Sequence, residues 1–327
     1  MSEPSGPGRP GRTCPLHHRY RPQDLAAPGP AALQDLDVLY VVGGLYGNPF
    51  ALDAVLRAFD AERGRKALVF NGDFHWFDAE ASWLARVQRE VLGHHALRGN
   101  VETELSTDPG ADDDDAGCGC AYPDWVGQGV VERSNRILAR LRTAVDAAQR
   151  DELSALPMWA RASVGPMALA LVHGDAESLS GWAFAQEHLL DPAQRERLRS
   201  WFDAARVDAF ACTHTCLPVF QPLRRAAGTG WIFNNGAAGM PNFAGDGAGL
   251  ATRVALTPAA PGASRVSARV GEVFVDAIAL EWDQAAWRVL FDRVWPAGSD
   301  AEVSYRDRIR HGPDYHPAQA LRADETA

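Results

Sequence analysis

Four short stretches of this chain end in side chains that can hold a cation: Asn71-Gly72-Asp73, Gly99-Asn100, His173-Gly174-Asp175 and Thr213-His214-Thr215-Cys216. Each follows an apolar run, and a fifth polar loop, Gly44 to Asn48, follows another. Asp, Asn and His supply the oxygen and imidazole ligands that a hard to borderline divalent metal accepts. An ion held in that way polarises a phosphoryl oxygen and lowers the pKa of water. One strand ending in Gly-Asp is an ordinary turn. Five polar ends in succession, at strand–helix spacing, are a different matter.

The elements that must position these groups are legible behind them. Residues 38–42, 67–70, 167–172, 207–211 and 231–233 have the length and bulk of buried strands, and open α/β sheets place ligands at the carboxyl ends of their strands. Pro49 opens a helix, with Asn48 as its cap and Leu52, Val55, Leu56 and Phe59 at helical spacing. Gly47 and Asn48 therefore lie beside a helix amino terminus, a natural seat for a phosphate. A helical stretch carries Trp83, Leu84 and Val87, with His94 and His95 expected on its solvated end, and Leu97 leads into Gly99-Asn100. Further helices are expected through Ile137, Leu138, Leu141 and Val145, shortly before Leu156, and from Pro192 through Trp201 and Phe202. In the last third, residues 252–257, 273–280 and 287–291 read as antiparallel strands completing a second sheet.

The 327 residues, 46% of them hydrophobic, suffice for a substantial core. A net charge of -10 disfavours an extended nucleic-acid surface and leaves small substrates as the easier partners. No apolar run approaches the roughly 18 residues of a membrane span. Five cysteines make an odd set without a leading apolar segment, so a cytoplasmic protein with reduced thiols is expected. Residues 1–30 are rich in Pro, Gly and polar side chains and read as a disordered or loosely packed arm. Within it, Cys14, His17 and His18 could bind a metal, but packing back through Leu16 and Tyr20 is the preferred reading. Residues 31–318 are expected to form one domain with an insertion at about 103–160, followed by a flexible tail over 319–327. Asp112 to Asp115 read as a solvated loop. Trp76, Trp125 and Trp182 sit on segments that could wall a cleft, although Trp is more often packed core.

Taken in order, Gly72-Asp73, Gly99-Asn100, His173-Gly174-Asp175, Thr213-His214-Thr215-Cys216-Leu217-Pro218 and Asn234-Asn-Gly-Ala-Ala-Gly239 resemble the motifs of the calcineurin-like metallophosphoesterases, in particular the small bacterial and archaeal phosphodiesterases. The resemblance covers roughly residues 38–291. It implies an α/β (α+β) fold, a four-layer α/β/β/α sandwich of two mixed β-sheets flanked by helices, with a two-metal site at the strand ends. It makes Asp73 the carboxylate shared by both metals and gives Asn100, His173 and His214 to the second. At the first metal the family's Asp-x-His-Gly-Asn stands as Gly44-Leu45-Tyr46-Gly47-Asn48, and its Gly-His-x-His as Thr213-His214-Thr215-Cys216. Three terminal ligands of one site are thus replaced, at Gly44, Tyr46 and Cys216, while the other site is complete. Val101 stands where many relatives carry a catalytic histidine, and Glu102 keeps the acidic character of the next position.

Three readings follow. In the first, a single manganese, zinc or iron ion on Asp73, Asn100, His173 and His214 activates water against a phosphomonoester or phosphodiester. Tyr46 then contacts the phosphate or leaving group, and Glu102 is an acid catalyst or a structural partner. In the second, Tyr46 and Cys216, with the extra thiolates Cys118 and Cys120, hold a second and softer ion; the alternative is that Cys118, Cys120 and Cys212 are small buried residues. In the third, the fold is a non-catalytic module that holds a phosphorylated ligand or a partner.

Overall fold

A computed structural model describes residues 10–107 and 116–323; the acidic run at 112–115 lies outside them. Three strands open the first sheet: β1 (Val38–Val42), β2 (Lys66–Asn71) and β3 (His95–Leu97). The second sheet takes the next five, β4 (Trp159–Val164), β5 (Met167–Val172), β6 (Ala209–Cys212), β7 (Pro218–Arg225) and β8 (Gly228–Asn235). The chain then returns to the first with β9 (Gly249–Ala255), β10 (Ser264–Val270) and β11 (Val273–Leu280). The orders are β10-β11-β9-β1-β2-β3 and β4-β5-β6-β8-β7. Both sheets are mixed: β1, β2 and β3 run parallel while β9 joins β1 antiparallel, and β5, β6 and β8 run parallel between antiparallel β4 and β7.

Strand alternation builds the layers. Val38, Tyr40 and Val42 point to a core shared with Leu52 and Val55 of the helix Pro49–Asp60, whereas Leu39 and Val41 point the other way, into a core shared with Leu169 and Leu171 of β5. Ala170 and Val172 then face a third core with Trp201 and Phe202 of the helix Arg195–Ala205. Three cores between four layers are the expected α/β/β/α sandwich.

Two asparagines bolt the sheets together. Asn71 Nδ2 donates to the carbonyls of Val172 (2.8 Å) and, more weakly, Ala211 (3.4 Å), and Asn235 Nδ2 donates to those of Gly43 (3.0 Å) and Leu250 (2.9 Å). Fully buried amides of this kind fix the layers in register, because sliding would leave carbonyls unpaired.

Several expectations are corrected. Residues 287–291 lie in a helix, Gln284–Val294: Asp283 caps it by accepting from Ala285 and Ala286, and Trp287, Phe291 and Val294 recur at helical spacing on its buried face. His95 belongs to β3 rather than to the preceding helix, which ends at Leu92. Residues 10–30 are packed: Tyr20 donates to the Asp175 carbonyl (2.6 Å) and His18 is fully buried, while Leu16 is 81% exposed and contributes no packing. The start of the presumed tail is also fixed, since the Arg322 amide donates to the Phe220 carbonyl (3.0 Å) and Ala320 is buried. No helix among the described residues is long and apolar enough to cross a membrane.

Candidate metal centre

Asp73 follows β2, Asn100 opens the helix Asn100–Ser106 after β3, His173 follows β5 and His214 follows β6. The structure brings all four together. His173 Nε2 lies 3.3 Å from Asp73 Oδ1, 3.2 Å from Asn100 Oδ1 and 3.2 Å from His214 Nδ1. The outward nitrogens of His173, His214 and Asn100 are tied down, and the inward oxygen of Asp73 is also held. His173 Nδ1 donates to the Asn71 carbonyl (2.8 Å), His214 Nε2 to the Cys120 carbonyl (3.1 Å) and Asn100 Nδ2 to the Cys118 carbonyl (2.9 Å), while Asp73 Oδ1 accepts from the Val101 amide (3.3 Å). A carbonyl only accepts, so these bonds place the protons on the outer nitrogens. With both rings neutral, two imidazole lone pairs, an amide oxygen and a carboxylate oxygen face one another. The three distances from His173 Nε2, 3.2–3.3 Å, match the edge, about 3.3 Å, of a tetrahedron with 2.0–2.1 Å bonds.

The two histidines differ in their electrostatics. Burial, with the neighbouring His173, pushes His214 down to about 3, so it is neutral. Burial alone would push Asp73 up, but His173 outweighs it and holds the carboxyl below its usual range. Against the effect of burial, Asp73 in turn pushes His173 up, so these two groups favour a charged pair, and a metal binding there would release the His173 proton.

Tyr46 and Cys216 stand on the other side of Asp73. The Tyr46 hydroxyl and the Cys216 sulfur are 2.7 Å apart, and the Tyr46 ring occupies the space a side chain on Gly44 would enter, 3.0 Å from an ideal Cβ there. Burial pushes both groups up, so the pair is a phenol and a thiol. Arg308 adds a cation at this end and donates to the Cys216 carbonyl (2.6 Å).

A cavity of about 60 Å³ joins the two halves, lined among others by Tyr46, Asp73, Asn100, Cys120, His214 and Cys216. Tyr122, Trp182 and Tyr305 complete its wall. Tyr122 lies in the expected insertion and Tyr305 in the helix Asp300–His311, far from any of the motifs, so neither carried a signal in the sequence. Trp76 and Trp182 do wall the cavity, whereas Trp125 is 56% exposed and stacks edge-on against Trp182. Among the described non-glycine residues, Tyr46, Asp73, Ala121 and Cys216 adopt left-handed backbone around this one cavity, with two others elsewhere. Such conformations are costly and concentrate where function requires them.

Other expected site residues lie elsewhere. Glu102 is fully buried and outside the cavity wall; its oxygens accept the backbone amides of Asp73 (2.8 Å), Gly99 (2.9 Å) and His75 (3.2 Å). It holds the Asp73–His75 loop rather than lining the cavity. Asn48 is committed to capping Phe50 and Ala51 and to the Gly239 carbonyl, and the Gly47 amide and carbonyl bond to Phe74 and Trp83, so neither reaches the cavity as a phosphate contact. Among the described residues, two groups of three His, Cys, Asp or Glu side chains bring ligand atoms within 4.8 Å, and neither contains a cysteine. Cys118 is buried away from the cavity wall, and Cys120 reaches it beside Asn100, with Sγ 3.4 Å from Nδ2.

No family model matches the chain, and no curated protein does. Solved structures do match. A metallophosphoesterase from Sphaerobacter thermophilus superposes with a TM-score of 0.54 at 17% identity, over 85% of this chain and 100% of that one. The chain has the metallophosphoesterase fold. A hypothetical protein from Pyrococcus horikoshii superposes equally well, with a TM-score of 0.55 at 15% identity over 85% and 99% of the two chains. In the metallophosphoesterase fold of this chain, both sheets contribute to the candidate centre: Asp73 and Asn100 follow strands of the first, His173 and His214 strands of the second.

Proposed function

We propose that the protein is a metal-dependent phosphoesterase working with one divalent ion, held by Asp73, Asn100, His173 and His214. The observation that carries this reading is the gathering of four possible ligand atoms, three of them on side chains whose outward nitrogen is held by a backbone carbonyl. A divalent manganese, zinc or iron ion bound there would polarise a phosphoryl oxygen and lower the pKa of water. The chain's own groups then divide the remaining work. The Tyr46 hydroxyl, kept protonated by burial, is a donor at the edge of the cavity and can hydrogen-bond a phosphate oxygen or a leaving group. Arg308, placed behind Cys216, favours anionic ligands at that end. Tyr122, Trp182 and Tyr305 exclude water from the centre.

The cavity has room for about two water molecules, too tight for a phosphoester unless part of its wall moves. That same closure supports a second reading, a non-catalytic module that holds a phosphate group against the ion. Hydrolysis of bis-p-nitrophenyl phosphate and p-nitrophenyl phosphate, with manganese, zinc or iron added, separates the two. The first reading expects turnover that Asp73→Ala abolishes, together with about one equivalent of bound metal. Phosphate binding without turnover supports the module, and turnover unaffected by Asp73→Ala would remove the centre from the reaction.

A further inference from the structure

The second ligand group lies at the base of the amino-terminal segment. His17 Nε2 and His18 Nε2 approach the same oxygen, Glu104 Oε1, at 3.4 and 3.0 Å. The two rings meet edge to face, with centroids 4.7 Å apart, and the three ligand atoms all lie within 4.8 Å of one another. We propose that His17, His18 and Glu104 form a second transition-metal site, distinct from the candidate catalytic centre and suited to zinc.

Three features support it. Two imidazoles and one carboxylate are a zinc ligand set, and bonds of 2.0–2.1 Å would place the ligand atoms about 3.4 Å apart, near the two N···O separations of 3.4 and 3.0 Å. The outer shell is also built. His18 Nδ1 bonds the Ser180 hydroxyl at 2.9 Å, which orients the ring and leaves Nε2 toward the carboxylate, and Arg142 engages Glu104 Oε2 (3.3 Å) and the Glu104 carbonyl (3.1 Å), which leaves Oε1 for the histidines. Finally, burial is graded as a metal site needs. His18 and Glu104 are buried while the His17 side chain is 38% exposed, so an ion has a route in from solvent. Cys14, the cysteine next to these histidines in sequence, is turned toward the Ser178 hydroxyl (3.1 Å), and Glu104 takes the third place instead.

The location gives the site a task. Glu104 lies one helical turn beyond Asn100, on the same helix. Gly119, in the segment that covers the cavity, passes so close that a Cβ there would be 2.8 Å from both Glu104 Cγ and the His18 ring. An ion on this triad ties the amino-terminal segment to the helix that carries Asn100, directly behind the cover.

The test is zinc stoichiometry and thermal stability of the full chain, for wild type, His17→Ala and Glu104→Gln. Because His17 is partly exposed, its removal should leave the fold intact, which equal melting temperatures in the presence of a chelator would verify. Wild type is expected to bind one more zinc than His17→Ala, and its melting temperature to rise with zinc by more than that of either variant. Equal stoichiometry in wild type and His17→Ala overturns the proposal. Asp73→Ala serves as the separate control: it should remove the other equivalent and leave the His17-dependent one, so failure of the catalytic reading and failure of this one show as different lost equivalents.

Discussion

Replacing Glu102 with glutamine tests whether this carboxylate positions the metal loop or takes part in chemistry. Both oxygens accept amide hydrogens, two at Oε2 from Asp73 and Gly99 and one at Oε1 from His75. Glutamine offers one oxygen. With that oxygen kept on the two shorter bonds, its NH2 group faces the His75 amide, and an orphaned buried N–H costs about 1–3 kcal/mol. The two bonds that survive change from charge-assisted to neutral, a loss of about 1 kcal/mol each. Burial and then Asp73 push the Glu102 carboxyl up, so removing the charge returns part of this, and about 2–4 kcal/mol of net destabilisation is expected. Urea unfolding of metal-free protein followed by tryptophan fluorescence should show that loss with an unchanged slope. Metal affinity should fall about 10–100-fold as the Asp73 loop loosens. A variant within about 0.5 kcal/mol of wild type, with metal affinity intact but turnover lost, would refute the positioning role and return Glu102 to the chemistry.

Two further outcomes are expected. Trp182 donates to the Cys120 carbonyl (2.8 Å) and packs its ring against His214, so Trp182→Ala should loosen the cover; alkylation at Cys120, read by mass spectrometry, should accelerate several-fold, and an unchanged rate would show that Trp182 does not hold it closed. Glu62 is paired with Arg253 through both oxygens; burial raises its carboxyl but Arg253 outweighs this and holds it low. A folded value below the unfolded one means that the pair's stabilisation is present above the ordinary carboxylate range and is lost as pH falls through the folded value. The stability gap between wild type and Glu62→Gln should therefore close on acidification, and a gap independent of pH would contradict the assignment.

Much of the scaffold was legible because its signals are local. β1 and β5 have the boundaries that unbroken apolar runs suggest, β11 those of a run interrupted only by Asp276, and Asn48 caps its helix as its position before Pro49 implies. The segment around Trp287 was misread because a short apolar run without a period fits either element, and only the Asp283 cap and the 287–291–294 spacing decide it. β7 was invisible for the opposite reason: Pro218 and Pro222 argue against a strand, yet β7 lies at the edge of its sheet, where proline is tolerated. At the site, the residues that could carry a charge stood out by type, and the structure gathers Asp73, Asn100, His173 and His214. What covers them did not stand out. Tyr122 and Tyr305 are ordinary aromatic residues whose meeting depends on an insertion and a late helix, and no local pattern encodes that. Gly47 and Asn48 show the converse, since a loop beside a helix start looks like an anion seat until its donors are found already spent on the fold.

Because the four converging groups come from two separate sheets, held in line by Asn71 and Asn235, the centre works as a gauge of how the halves of the sandwich are aligned. A slip of a few tenths of an ångström between the layers would pass unnoticed in the apolar middle, where Leu39, Val41, Leu169 and Leu171 repack easily. At the strand ends the same slip would pull two ligands away from the other two. In the proposed centre, cation affinity would therefore be set partly in the deep interior, and variants of the shared core would be a means of tuning it without touching a ligand.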